Sequence, residues 1–514
     1  MGACASKDAH TDDRDAATAA GPKQQQQVHS PPKMAAFALA ETHTASRDHF
    51  VERKGSELFL AGKRFRFASL NAPELLDGDA NGPFEVRDTF ASLAAENAFG
   101  SAVTRTYTLR IKSPNIGRGH INGWHPEWND WMWDEGRMKE MDLVLHEASK
   151  AGVKLIIPIV NQDTGDDSNW VGSTVDLIKY RYGLGNNHEA RQIDWWTDHT
   201  MIESFKLILD FLLNRTNTCN GRRYGDDPTI LAWETGNEMN WRGMRPAPPS
   251  WTLIVAKHLK SRAPRTLVMD GSFARNDDPE ACYPKEVLDS EDVDIVSYHY
   301  YGSGDIRRVE KDCQVARRHG KVFIAGEYGF FDRPEEYSSF LRAVDKGGGA
   351  GSLVWSLRPH SARGGFKTHG EGNGIWSYHI PGWKDPQHPE FDAREAAIVP
   401  AIREASFKIN GLKPPTARPV PSRPSKPWLA RHPHGGPAVC FSGSVWADRY
   451  QILVWPAEGG GDPHVKEVRD HTKEDHLAVH LGRESQACGG RAQVSVRGVS
   501  VDGVAGEESE PLLL

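Results

Sequence analysis

The chain has 514 residues, enough for two or three domains and at least one large core. Its 38% hydrophobic and 25% charged content describes a globular protein with some polar stretches, and the net charge of −7, with no basic stripe interleaved with aromatics, argues against nucleic acid as a partner. No apolar run reaches the roughly 20 residues of a membrane-spanning helix.

Residues 1–45 read as a disordered tail, with a Gln run at 24–27 and Ser-Pro-Pro at 30–32. No secretory signal is visible: the first 33 residues are polar, and MAAFALA (34–40) is too short for a hydrophobic signal core. The start, Met-Gly-Ala-Cys-Ala-Ser-Lys, fits an N-myristoylation pattern at Gly2 and offers Cys4 to a palmitoyl group, and two acyl chains would anchor the protein to a membrane. A lipid-anchored or cytoplasmic location is the expectation, with a membrane-bound pool that Gly2→Ala releases.

Residues 50–67 read as a small hairpin with turns at Lys54-Gly55 and Ala61-Gly62. Apolar strand-like runs then follow at 64–71, 101–109, 153–161, 228–234, 266–271, 294–301, 321–327 and 350–357. Helical spacing of apolar residues separates them, at 85–98, 134–152, 199–216, 250–263, 305–320, 334–347 and 390–411. Gly152 and Gly320 stand just past helices and before strands, where a left-handed C-terminal residue belongs. Eight continuously apolar strands alternating with helices predict a (β/α)₈ barrel over 46–410. A doubly wound open sheet is the alternative, and the lack of GxGxxG after the first strand counts against it. Residues 411–437 are a Pro-rich linker, and alternating patterns at 449–455, 475–481 and 491–503 predict a small antiparallel β domain over 438–514.

Two apolar runs end in carboxylates: PTILAWETGNEMNW (228–241) brings Glu238, and KVFIAGEYGF (321–330) brings Glu327. In a (β/α)₈ barrel both would face the cleft at the C-terminal ends of the strands. A carboxylate pair is the minimal equipment for cleaving a glycosidic bond. Arg105, Asn237, His299, Tyr301 and Trp355 also fall at or just beyond strand ends. The six cysteines form no CxxC pair, although Cys440 and Cys488 could meet within the β domain; the 22 histidines form no HExxH. No metal-site spacing, P-loop or Ser-His-Asp elbow is present, so neither a metal nor a cofactor is expected.

These segments resemble glycoside hydrolase family 5, in the (β/α)₈ clan of retaining glycosidases. LAWETGNEMN matches its acid/base strand at Glu238, GEYG its nucleophile strand at Glu327, and HYY its His-x-Tyr element. Arg105 in TRTY matches the second-strand arginine, and Trp355 the sugar-platform tryptophan. DDPTILAWETGNE and LIIPIVN are most like the endo-β-1,4-mannanases. The resemblance implies a polysaccharide or oligosaccharide substrate, a monomer and a retaining double displacement, with carboxyl groups about 5–5.5 Å apart. In that scheme Glu327 stays ionised beside Arg105 and Tyr301, Glu238 carries a raised pKa, and Asn237 bonds the sugar 2-OH. Family relatives usually work outside the cell. A β-glucanase, an exo-β-glucosidase or a non-catalytic glycan-binding protein of the same fold are the alternatives.

Trp124, Trp128, Trp131 and Trp133 crowd one loop, with Trp195, Trp196 and Trp241 elsewhere, and such a loop predicts a sugar-stacking wall. His360, Arg363, His369 and Glu371, in the loop after the eighth strand, are further candidates to line the cleft. FSGSVWADRYQILVW and VSVRGVSVDGVAGEESEP resemble strands of a fibronectin type III module, which implies a spacer or stabilising cap.

Overall fold

A computed structural model of the protein describes residues 48–94, 98–99, 102–162, 170–239, 245–272, 278–386, 388–431, 437–456, 461–482 and 492–514. The expected tail, with Gly2 and Cys4, lies outside these residues, as do Trp241 and Cys488. Among the described residues no helix is long and apolar enough to cross a membrane.

The eight apolar runs are the strands of one parallel sheet: β1 (Phe67–Leu70), β2 (Val103–Arg105), β3 (Lys154–Pro158), β4 (Ile230–Glu234), β5 (Leu267–Asp270), β6 (Ile295–Tyr301), β7 (Val322–Gly329) and β8 (Gly351–Val354). From β2 to β8 each strand pairs with its sequence neighbour, and β8 pairs with β1. Across the last seam Thr104 Oγ1 donates to the Leu70 carbonyl at 2.7 Å and the Ala72 N–H to the Arg105 carbonyl at 2.9 Å, so the sheet closes into a barrel.

Helices α1 (Pro83–Ala94), α2 (Glu135–Ala151), α3 (His199–Asn214), α4 (Pro249–Arg262), α5 (Val309–Arg318), α6 (Pro334–Gly347) and α7 (Glu395–Lys408) cover the outside. Two short helices, Pro279–Cys282 and Lys285–Asp289, follow β5. Asp134 caps α2 by accepting from the Arg137 N–H, and Gly152 ends it with φ 70°. Val103, Ile156, Leu231, Met269, Ile295 and Ile324 share one buried cluster with Val51 and Leu58 of the N-terminal hairpin. Burying one such side chain stabilises the fold by roughly 1.5–3 kcal/mol. Arg53 ties this hairpin to Asp294, just ahead of β6, and to the Gly320 carbonyl ahead of β7, so it plugs the end of the barrel opposite the strand C-termini.

Beyond the barrel lie two antiparallel sheets, of three strands (Trp428–Arg431, Pro437–Cys440, Val479–His480) and four (Arg449–Pro456, His464–Val468, Ala492–Val499, Leu512–Leu513). Val439, Ile452, Val479 and Val496 of both sheets belong to one apolar cluster. The first strand starts inside the stretch read as linker, because no proline falls within Trp428–Arg431, which pairs with Pro437–Cys440.

Candidate active site

β2 ends on Arg105, whose guanidinium is closed to solvent. Its Nε donates to Glu234 Oε2 at 2.6 Å and Nη2 to Glu234 Oε1 at 3.1 Å. Nη1 reaches Glu327 Oε1 at 2.7 Å, and Nη2 also reaches Asn237 Oδ1 at 2.7 Å. One planar donor fork thus sets the positions of three groups. Burial works against the Arg105 charge, but the Glu234 and Glu327 carboxylates outweigh it and raise its pKa.

β4 ends on Glu234, and the chain runs on through Thr235 and Gly236 to Asn237, whose N–H donates to the Val160 carbonyl at 2.7 Å. Asn237 Nδ2 donates to Asn161 Oδ1 at 3.0 Å and to the Tyr107 hydroxyl at 2.9 Å, so the amide is held on both sides. The next residue, Glu238, has φ 47°, a left-handed conformation that a side chain rarely adopts and that aims its carboxyl into the cleft rim.

β6 presents His299 and Tyr301 on one face, two residues apart, while Tyr300 points outward and donates to Asp312 at 2.6 Å. β6 and β7 slip register so that Tyr298 faces Ala325 but His299 faces Glu327. The extra residue is Gly326, where a Cβ would lie 2.6 Å from Ser297 Oγ and 3.0 Å from His299 Nε2, so only glycine leaves the imidazole its place. His299 Nδ1 lies 2.8 Å from Glu238 Oε1 and 3.4 Å from Glu327 Oε2. The Tyr301 hydroxyl donates to Glu327 Oε2.

One carboxyl oxygen each of Glu238 and Glu327 and a ring nitrogen of His299 all lie within 4.8 Å of one another, a donor set of the size that could hold a metal ion. Arg105 and Tyr301 already engage both oxygens of Glu327, and the cluster reads more directly as a proton-sharing one. Burial lowers the His299 pKa, against the pull of Glu327, which favours the neutral ring. A neutral Nδ1 either donates to an ionised Glu238 or accepts from a protonated one, so the imidazole can hold and return that proton. Burial raises the Glu327 pKa, against the pull of His299 and Arg105, so the expectation of a plainly stabilised carboxylate meets an opposing desolvation in this cleft. Tyr301 is pushed well above its ordinary pKa by burial and by Glu327, and remains a donor.

Arg105, Asn237, Glu238, His299, Tyr301 and Glu327 therefore come together, and Trp355 follows β8 beside them, its ring edge-on to Tyr107 with centroids 5.8 Å apart. Trp355 Nε1 donates to Glu371 Oε1 at 2.6 Å. Glu234, Asn161, Tyr107 and Trp170 escaped the sequence reading. Trp170 is partly exposed and stacks on Tyr107 at 4.7 Å. Glu234 could have been noticed as the residue that ends the apolar run of β4.

Among the described residues the tryptophan wall is not found. Ile121–His125 and Asp130–Trp133 form a hairpin packed on α3: Trp131 is buried and donates to the Ser204 carbonyl, Trp133 stacks on Phe211 at 3.8 Å, and Trp124 sits edge-on to Trp131. Only Trp128 of the four is open to solvent, and Trp195 and Trp196 are core residues. His360 and Arg363 also leave the cleft, His360 for a buried place between Asp88 and Asp470, Arg363 for Glu474.

A closed eightfold barrel with carboxylates gathered at the C-terminal ends of β4 and β7 defines the class of (β/α)₈ proteins built around a paired-acid cleft. The family description "GH family 5 beta-mannosidase-like" matches residues 128–317. Mannan endo-1,4-beta-mannosidase 2 of Oryza sativa subsp. japonica is 31% identical over 194 residues, 37% of this chain and 39% of that protein. Mannan endo-1,4-beta-mannosidase 8 of the same plant is 24% identical over 363 residues, 61% of this chain and 92% of that protein. The endo-1,4-beta-mannanase of Rhizomucor miehei shares the fold, with TM-score 0.54 and 22% identity over 70% of this chain and 99% of that one. Over these stretches the chain is similar to glycoside hydrolase family 5 and, within it, to the endo-mannanases. It aligns with 39%, 52% and 58% of the length of the first three curated relatives.

Proposed function

We propose that the protein hydrolyses β-1,4-linked mannan-type polysaccharides by a retaining double displacement. The observation that carries this reading is the His299 bridge between Glu238 and Glu327, with one oxygen of each carboxyl within 4.8 Å of the other. So short a separation leaves no room for a water between acid and sugar, and suits direct attack by one carboxylate. Glu327 attacks the anomeric carbon, its free charge directed by Arg105 and Tyr301. Glu238, on the partly open side, protonates the leaving oxygen and then takes a proton from the incoming water, with His299 as its proton partner. Asn237, fixed by Arg105, Asn161 and Tyr107, receives the 2-OH of the sugar, a contact that tightens in the transition state. Trp355 gives the flat apolar floor on which a pyranose ring stacks.

Reducing-sugar release from mannan, glucomannan and cellulose, measured in parallel, tests the reading. Release from the two mannose-containing polymers, and its loss in both Glu327→Gln and Glu238→Gln, is expected. Preference for cellulose defeats the mannan assignment, and near-normal turnover in either variant defeats the residue roles.

A further inference from the structure

The segment that follows β8 has two attachments. One end carries a two-strand ribbon, Gly370–Gly372 with Ile375–Trp376, that brings Glu371 against the indole of Trp355. The other end, residues 360–367, is built into the C-terminal β module. The Phe366 N–H donates to the Thr472 carbonyl at 2.8 Å, and the Glu474 N–H returns a bond of 2.8 Å to the Phe366 carbonyl. The Glu474 carboxylate gathers three donors from the segment: Ser361 Oγ at 3.2 Å, Arg363 Nη2 at 2.7 Å and Lys367 Nζ at 2.8 Å. His360 is closed to solvent between Asp88 of α1, at 3.1 Å, and Asp470 of the module, at 3.5 Å. The module thus grips this cleft loop through backbone pairing and buried charge.

Glu371 is what the loop delivers. One oxygen accepts from Trp355, and Oε2 has no hydrogen bond among the described residues. Its charge is felt at Tyr301, which itself touches Glu327. A carboxylate held against the indole of Trp355, with its second oxygen not engaged among the described residues, is suited to accept from a sugar hydroxyl.

We propose that Glu371 binds a hydroxyl of the bound glycan and that the C-terminal module, through Glu474, is the element that positions it. This rests on the glycosidase reading above, and it gives the module a part in substrate binding rather than the role of a spacer. Glu474 is a positioning residue, since it touches the loop and not the sugar.

The test is a double-substitution cycle in the full-length protein with β-1,4-mannotetraose as substrate. Glu371→Gln is expected to raise KM about tenfold with kcat little changed, the weight of one charge-assisted hydrogen bond. Glu474→Gln is expected to raise KM in the same direction by about fivefold, and the double variant to be no worse than Glu371→Gln alone, because both remove one contact. Additive effects, or an unchanged KM in Glu371→Gln, overturn the proposal. Lys473→Met, which loosens the module from Glu390 at 3.0 Å without touching the Glu474 cluster, is expected to lower Tm and leave KM alone; a KM shift there of the same size also counts against it. If Glu474→Gln does not fold, Lys367→Met takes its place in the cycle. A wild-type protein that releases no sugar from any mannan defeats the earlier reading, and the same cycle is then read as the Kd for mannotetraose, with the same expectations deciding this one.

Discussion

Glu234 accepts two hydrogen bonds from Arg105, at 2.6 and 3.1 Å, and neither side chain is open to solvent. The pair fixes the guanidinium so that its remaining donors reach Glu327 and Asn237. Removing one partner of such a buried pair costs roughly 3–5 kcal/mol. Glu234→Gln is expected to lose stability on that scale by chemical denaturation, and to lose at least about a hundredfold in kcat/KM as Asn237 and Glu327 drift. Unchanged kcat/KM in a folded Glu234→Gln protein counts against the shared positioning.

The Glu327 pKa is raised from its ordinary 4.5 by burial, with His299 and Arg105 opposing. In its proposed role as nucleophile Glu327 must be ionised, so activity is expected to fall as pH drops through that raised value. The acid limb of kcat/KM is therefore expected above pH 4.5. Tyr301→Phe removes a donor to the ionised form and is expected to move the limb upward by about one unit. A downward shift contradicts the geometry.

Two other buried histidines make the fold sensitive to acid. Burial lowers His120 to about 3 and His471 to about 2. Each is neutral in the folded state, while an unfolded histidine takes up a proton below its ordinary 6.5. Their stabilisation is complete above pH 6.5 and declines as pH falls toward those lowered values, by roughly 1.4 kcal/mol per pH unit for each group. His360 runs the other way: burial lowers its pKa, but Asp88 and Asp470 outweigh that and raise it, so its contribution is present below pH 6.5 and declines as pH rises through the raised value. Denaturant midpoints are expected to fall between pH 7 and 4.5, and His120→Gln to flatten the decline; a midpoint that holds steady to pH 4.5 would show that these rings titrate in the folded protein.

The tryptophan hairpin separates packing from binding. Trp131→Ala is expected to cost about 3–5 kcal/mol, since the indole is buried against α3. Trp128→Ala is expected to change stability by less than about 0.5 kcal/mol and to leave the proposed mannan hydrolysis intact, since the residue is 73% exposed and, among the described residues, stacks on His125 alone. A large activity loss in Trp128→Ala would restore the idea of a stacking wall there.

The barrel was legible because parallel strands buried on both faces leave uninterrupted apolar runs, as in IVSYHYY of β6 and VFIAGEYG of β7. The cleft residues were legible because they stand where those runs end. Three kinds of fact were not. Glu234 reads as a strand terminus until Arg105, 129 residues earlier, is brought beside it. The loop tryptophans carry no sign of whether α3 or the cleft lies beneath them. His360 and Arg363 turn from the cleft because their partners, Asp470 and Glu474, lie more than a hundred residues onward in a module whose placement no local pattern reveals.

Glu238 holds φ 47°, a conformation that costs an ordinary side chain about 1–2 kcal/mol and that asparagine tolerates better. Of two variants that both lack the acid, Glu238→Asn is expected to melt above Glu238→Ala, and the reverse order would show that the backbone relaxes when the carboxylate leaves. The residue proposed as the proton donor is then one that folding by itself would replace. On the proposed reading, mutation at this position drifts toward a sturdier and inert protein, and the demand for turnover holds a glutamate against that slope.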